Sequence, residues 1–550
     1  MSSIIESSII EKHTAAFPEG VPLLEGTYAS LNIKVSSCPI VSEPLFFHFK
    51  VDNSGSMSSE CEDGLSKMDY LKDTIINMLH FFADKASVST IFVQVCSFNN
   101  IISEIVPISL VTPDTVGSLI KRLNVLHPAN TTNIELALTH SHTIIQEYIL
   151  NNPTHRISHC FMTDGDTTEG LSSPELLAKI IPINISSSYI AFGRDHNARI
   201  MNMLGRSSIK STNWFVESLQ NAGLVYGEII NNEMYIGADS VVITMHNGRI
   251  YNFKTGQFEE SLPINTLVTQ TQKNYHVLLN PGVTDSEIYA TITGVSNGEP
   301  FEEVVTVIPS LLDVMTNCIV PCDLTQQIFR YHTQNLMYQA MNFTPELQYN
   351  LKNYPPPPPR LVRQNALPFP SQLIPEEVYE DEDEEEPSCI VTPIFTNEEE
   401  SEEESEEDEE DAKEKEKSRI KNSRISQKLL KNTLIDFHKS MLEYVEKNNL
   451  EDDSFMKSLC DDIYISIRTM GTPQHAMYIA SRESSQGHQQ MYTVTPHNFD
   501  DNDDENVSLS YQIQRCPTNI VNVTPTGLLT MKALSLPVEF DEFDACTCPP

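Results

Sequence analysis

From Leu45 onward, short apolar runs alternate with longer stretches in which apolar residues recur three and four positions apart. Residues 45–51, 88–98, 159–163 and 187–192 are brief, rich in β-branched or aromatic side chains and bounded by polar turns, the pattern of strands buried on both faces of a sheet. Residues 68–83, 115–126 and 134–150 carry apolar positions at helical spacing, and Pro174 opens a fourth helix with Ser173 as its cap. Strands alternating with helices predict an α/β fold with a doubly wound parallel sheet over residues 45–232.

Beyond Tyr235 the period changes. Residues 241–253, with a His-Asn-Gly turn, and 287–308, with a Ser-Asn-Gly turn, alternate apolar and polar positions and predict two hairpins. They define a small antiparallel β domain at 235–309, joined by the strand-like residues 28–35; residues 1–44 are an N-terminal segment, partly strand. Residues 310–354 turn helical, and FRYHTQNLMYQAM places apolar and aromatic residues on one stripe, as a core-facing helix does. A second stripe, Leu429, Leu430, Leu434, Ile435, Phe437, Met441, Leu442 and Val445, predicts a helix that packs back onto that region, so residues 418–495 are helical too.

Between the two helical parts lies a different kind of chain. Pro355 to Pro359 form an unbroken proline run, extended as polyproline II, and Glu and Asp dominate residues 376–416. Residues 355–417 therefore read as a disordered acidic loop that interrupts the helical region and cannot bury a core. Residues 496–550, with DDNDDEN and a final CTCPP, read as a loose tail.

Charge narrows the partners. The 550 residues carry a formal net charge of −40, and the acidic tract accounts for roughly half of it. No basic stripe is present to meet phosphates, so nucleic acid is not the expected partner. A basic protein such as a histone or a capsid component is the partner that the acidic tract would suit. Of eleven cysteines, Cys96 and Cys160 sit in apolar runs as reduced core thiols do, which points to an intracellular protein, cytoplasmic or nuclear. Cys318 and Cys322 share a helical spacing and Cys546 and Cys548 form C-x-C, but neither pair has the further ligands of a zinc site. MSSIIESSIIEKH has no basic start, and no apolar stretch is long enough to span a bilayer, so neither a secretion signal nor a membrane partner is expected.

The candidate chemistry stands at the strand ends. FFHFKVDNSGS drives an apolar strand into Asp52, Ser54 and Ser56, three oxygen side chains at alternate positions. NTTNIELAL places Thr131 and Thr132 before a helix, and CFMTDGD ends another strand at Asp164. Hard oxygen donors at the mouth of an open sheet are a cation site in outline.

Taken together, D-x-S-x-S, T-N-I and T-D-G, in that order, resemble the metal-ion-dependent adhesion site of von Willebrand factor type A domains. The resemblance implies Mg²⁺ or Mn²⁺ held directly by Ser54, Ser56 and Thr132, with Asp52 and Asp164 acting largely through water. It also implies a partner protein that supplies the last ligand from a Glu or Asp. Thr132, followed by Asn133 and Ile134, matches the family threonine better than Thr131 does. GTPQHAMYIASRESSQGHQQM, residues 471–491, resembles the Ser- and His/Gln-rich end of a trailing module, named for its association with intein-like sequences, found in some type A proteins.

Three function classes follow. The leading one is a non-enzymatic protein that grips an acidic residue of its partner through the ion. The alternative is a structural scaffold with a vestigial ion site, such as a virion-associated protein of a large DNA virus, a setting suggested by the Asn- and Ile-rich composition. The third is a Mg²⁺-dependent phosphohydrolase with Asp52 as nucleophile; against it, Ser54 stands where such an enzyme needs a second carboxylate. Acyl transfer through Ser54 lacks the glycine-flanked nucleophile elbow.

Overall fold

The computed structural model describes residues 4–37, 43–60, 64–181, 185–193, 196–216, 222–308, 312–313, 318–319, 321–342, 406–472, 475–490 and 525–534. Two strands, β1 (Ile5–Lys12) and β2 (Thr27–Val35), precede β3 (Leu45–Asp52). The chain then runs through α1 (Lys67–Lys85), β4 (Ile91–Phe98), β5 (Ile102–Leu110), α2 (Val116–Leu123), α3 (Ile134–Asn151) and β6 (Arg156–Thr163). It continues through α4 (Pro174–Leu177), β7 (Ser186–Phe192), α5 (Ala198–Gly205), β8 (Ser211–Val216) and α6 (Ala222–Met234).

Six of these strands form one sheet in the order β5-β4-β3-β6-β7-β8. All neighbours are parallel except β5, which runs antiparallel to β4 at the edge. Every residue of β3 is buried, because both faces are covered. Leu45, Phe47, Phe49 and Val51 pack with α1, α2 and α6, whereas Phe46 turns to the opposite face and stacks on Tyr148 of α3 at 3.9 Å between ring centroids. This is the doubly wound sheet that the alternation predicts.

The next strands are β9 (Ile236–His246), β10 (Gly248–Asn252), β11 (Gln257–Glu259), β12 (Ser261–Pro263), β13 (Leu267–Val268), β14 (Gln272–Leu279), β15 (Tyr289–Ser296) and β16 (Glu299–Thr306). They form two sheets, β1-β2-β14-β10-β11 and β12-β9-β15-β16, with β13 also paired to β9. Ile10, Leu31, Ile33, Ile243, Val277 and Ile292 fill the space between them. Both N-terminal strands thus belong to this sandwich, and the α/β domain is inserted between β2 and β9. The second expected hairpin is present, closed by Asn297 and Gly298 at φ of +52° and +76°. The first is not: β9 pairs with β12, β13 and β15, while β10 pairs with β11 and β14. Left-handed Asn247 (φ +61°) carries the chain from one sheet to the other instead of folding it back.

Residues 310–354 were expected to be helical from their start, and they are not. β17 (Leu312–Asp313) pairs with β18 (Cys318–Ile319), and α7 (Thr325–Asn342) begins only after Pro321. Cys318 therefore lies on a strand and shares no helix face with Cys322. Three helices follow: α8 (Glu406–Asn448), α9 (Ser454–Thr469) and α10 (His475–His488). Residues 343–405, with the proline run and most of the acidic tract, lie outside the described residues. The expected loop is corrected at its far end, since α8 starts at Glu406 and takes in residues 406–417. Leu430, Leu434, Phe437, Met441 and Val445 bury their stripe with Ile328, Phe329 and Met337 of α7 and with α9; Leu429 falls off the stripe and stays 68% exposed.

The loose-tail expectation also needs correction. Residues 525–534 form a helix, Pro525–Leu534, seated on α6 and α1, with Met531 and Leu534 buried. Gly227 permits the contact, because a Cβ there would meet Met531 Cα at 2.6 Å. DDNDDEN and CTCPP lie outside the described residues. Among the described residues no helix is long and apolar enough to cross a membrane.

Candidate metal centre

The chain leaves β3 for β4 on one side and later reaches β6 on the other, so the C-terminal ends of β3 and β6 flank the point where the winding reverses. Asp52 ends β3, and Asp164 follows Thr163 at the end of β6. A third loop is tied to them: the Gly55 N–H donates to Asn130 O at 3.0 Å, and the Ala129 N–H to Asn53 O at 2.8 Å. Asn133 caps α3 by accepting the Leu136 N–H at 2.9 Å, which fixes Thr132 just ahead of the helix.

Hydrogen bonds link four of the five expected residues. Ser54 Oγ lies 3.0 Å from Ser56 Oγ, and Ser56 donates to Asp164 Oδ1 at 2.7 Å. Asp52 Oδ1 accepts the Ser54 N–H at 2.7 Å, and Oδ2 accepts the Thr163 hydroxyl at 2.6 Å. Thr132 joins across Gly165, whose absent side chain leaves a cradle: a Cβ there would lie 3.6 Å from Ser56 Oγ and 3.8 Å from Thr132 Oγ1. Thr131 is turned outward, with its hydroxyl donating to Glu169, while the Thr132 N–H bonds Thr168 Oγ1 at 2.9 Å. Asp52, Ser54, Thr132 and Asp164 are buried and Ser56 is exposed, so the cluster opens to solvent through Ser56.

Burial and charge both act on the cluster. Burial pushes the Asp52 carboxyl up to about 6, against the hydrogen bonds from Ser54 and Thr163 that favour its charged form. Two further residues take part that the motif reading did not assign. One is Thr163, through its bond to Asp52. The other is Lys67, whose Nζ lies 2.7 Å from Asp164 Oδ2. A capping box between Ser66 and Asp69 sets the first turn of α1 behind the serine loop, and that Ser-x-x-Asp spacing was the available signal for Lys67. The donor set of three hydroxyls and two carboxylates is all hard oxygen and suits Mg²⁺ or Mn²⁺.

No family model and no curated protein matches the chain. Among solved structures it is similar to a von Willebrand factor type A protein from Catenulispora acidiphila, at 13% identity and a TM-score of 0.44, over 63% of this chain and 83% of that one. It is also similar to the ArnB paralog VWA2 from Sulfolobus acidocaldarius, at 16% identity and a TM-score of 0.40, over 62% and 84% of the two chains. Residues 45–234 form an α/β domain around the six-stranded, mostly parallel sheet. Within this α/β domain, the residues of all three motifs meet at the end of the sheet where β3 and β6 part.

Proposed function

We propose that the type A domain binds a partner protein through a divalent cation, Mg²⁺ or Mn²⁺, held by Ser54, Ser56 and Thr132 with Asp52 and Asp164 in support. The observation that carries this reading is the hydrogen-bonded run from Ser54 through Ser56 to Asp164, which gathers the oxygen donors of two distant segments at a solvent-facing rim. An ion held mostly by neutral hydroxyls stays short of negative charge, so a Glu or Asp of the partner is the ligand it would accept. The role is one of interaction or adhesion, not catalysis. Both oxygens of Asp52 are engaged within the fold, which leaves it a poor nucleophile.

The experiment is a pair of measurements on the full chain: thermal unfolding with millimolar Mg²⁺ or chelator, and partner capture under the same conditions. Ion binding to the folded state raises the melting temperature by mass action. Identical curves and identical captured proteins would remove the reading.

One observation favours a second reading, a scaffold whose ion site is vestigial. The Lys67 ammonium already stands against Asp164, where it supplies positive charge without a metal.

A further inference from the structure

A cleft lies where the α/β domain, the sandwich and the helical region meet, far along the chain from the cation cluster. Trp214 of β8, Tyr275 of β14, Lys254, Lys273 and Arg330 are among its lining residues. In a chain of net charge −40, this gathering of cations is unusual. Their hydrogen bonds are to main-chain carbonyls. Lys254 Nζ donates to Ser208 O at 2.7 Å and Ser211 O at 3.2 Å. Lys273 Nζ donates to His488 O and Gln489 O, each at 2.8 Å, and Arg330 donates to Gln486 O at 2.8 Å and Asn274 O at 3.3 Å.

The contacts of Lys273 and Arg330 cap the C-terminus of α10, a structural role that uses part of their charge. Glu483 and Glu228 offset the charge of Lys254 and Lys273 only from a distance or in part. Among the described residues, no carboxylate lies within ion-pair distance of Lys254 or Arg330, although Arg330 is only 3% exposed. The nearby acids are committed: Glu483 pairs with Arg206 at 2.6 Å, Asp239 pairs with Lys210 at 3.1 Å, and Glu233, which also lines the cleft, accepts the Ser186 hydroxyl. Glu228 acts on Lys273. Lys254, Lys273, Arg330 and His488 all line this one cleft, and Lys254 and Lys273 both act on the His488 ring.

We infer that this cleft is an anion site for a phosphate group, with Lys254 and Arg330 matching its two negative charges and Lys273 assisting. Desolvated cations without acid partners are stabilised by an anion from outside, and a dianion balances two of them where a carboxylate balances one. Trp214 and Tyr275 give the cleft aromatic wall on which the organic part of a phosphomonoester could lie. The inference does not depend on the ion reading of the type A domain.

The test is calorimetry and thermal unfolding of the full chain with inorganic phosphate, with glycerol phosphate and with acetate, all at one ionic strength held by potassium chloride. Phosphate is expected to bind and to raise the melting temperature where acetate and chloride do not. A larger gain with glycerol phosphate than with free phosphate assigns the site to a monoester; an equal gain assigns it to the free ion. Lys254→Gln is expected to weaken phosphate binding at least tenfold with an unchanged circular dichroism spectrum. If that variant fails to fold, Arg330→Lys keeps the charge but loses the forked donor geometry, and a several-fold weakening is expected. No phosphate effect beyond that of chloride, an equal response to acetate, or unchanged phosphate affinity in the folded variant would each overturn the inference.

Discussion

Arg482 Nη1 lies 2.8 Å from Asp462 Oδ1, and neither side chain is exposed to solvent. Gln486 Nε2 holds the other Asp462 oxygen at 2.8 Å, and Arg482 also reaches Asp461 Oδ2 at 2.6 Å. The pair fastens α9 to α10, the helix within the Ser- and His/Gln-rich segment. Burial pushes Asp462 up to about 7 even though Arg482 opposes the shift. Arg482→Met removes the cation and strands a buried carboxylate, so chemical denaturation should show a loss of about 3–5 kcal/mol. The double variant Asp462→Asn/Arg482→Met should lose less than the sum of the two single changes.

A divalent ion at the proposed site would compete with Lys67 for Asp164. Replacing Lys67 by Met keeps the length of the side chain and removes the charge. Mg²⁺ affinity measured by calorimetry should then rise by roughly tenfold, about 1.4 kcal/mol. Equal affinity in both proteins would show that the ammonium yields to the ion without cost.

Ser54→Ala with Thr132→Ala removes two hydroxyl donors without adding bulk or charge. The double variant should fold with an unchanged circular dichroism spectrum and lose the Mg²⁺-dependent rise in melting temperature. A full Mg²⁺ response in that variant would place the ion elsewhere.

His159 sits buried beside His48, with ring centroids 5.6 Å apart, and neither of its ring nitrogens has a hydrogen-bond partner. Burial, assisted by Lys50, lowers its pKa to about 3, below the ordinary value of 6.5. Between those values the unfolded chain binds the extra proton, so the histidine's contribution is complete above pH 6.5 and is lost as pH falls toward 3. His159→Phe should therefore gain on wild type as the pH drops, by about 2 kcal/mol at pH 5. Parallel stability curves from pH 7 to 4 would count against this assignment.

Gly227→Ala tests the docking of the C-terminal helix. A Cβ there meets the Met531 backbone, which cannot swing aside as a side chain could. Overpacking of this kind costs about 1–3 kcal/mol. Deleting residues 521–550 from the Gly227→Ala protein should remove most of that penalty, as read by melting temperature.

Local signals explain what could be read from the chain alone. Asp52, Ser54 and Ser56 stand at alternate positions after an apolar run, and buried strands such as β3 and β6 announce themselves by composition. The preference for Thr132 over Thr131 comes from the two residues that follow them, and Thr131 is the one whose hydroxyl turns to Glu169. Lys67 was not, because the Ser66-x-x-Asp69 cap marks only where its helix starts, while its tie to Asp164 spans 97 positions. β9 and β10 look like a hairpin, since alternation and a left-handed Asn specify a sharp turn but not which sheet each strand joins. The Pro525–Leu534 helix was missed for a related reason: it is short and flanked by weakly apolar chain, and the site that receives it, at Gly227, lies about three hundred residues earlier.

The placement of the α/β domain between β2 and β9 has a mechanical consequence. A partner pulling on the ion face would not tug a bead on a single string. The load would pass through two backbone connections into opposite sheets of the sandwich, since β2 belongs to one sheet and β9 to the other. Tension at the rim around Ser56 would then shear the two sheets across the Leu31 and Ile243 layer before it could peel the domain away.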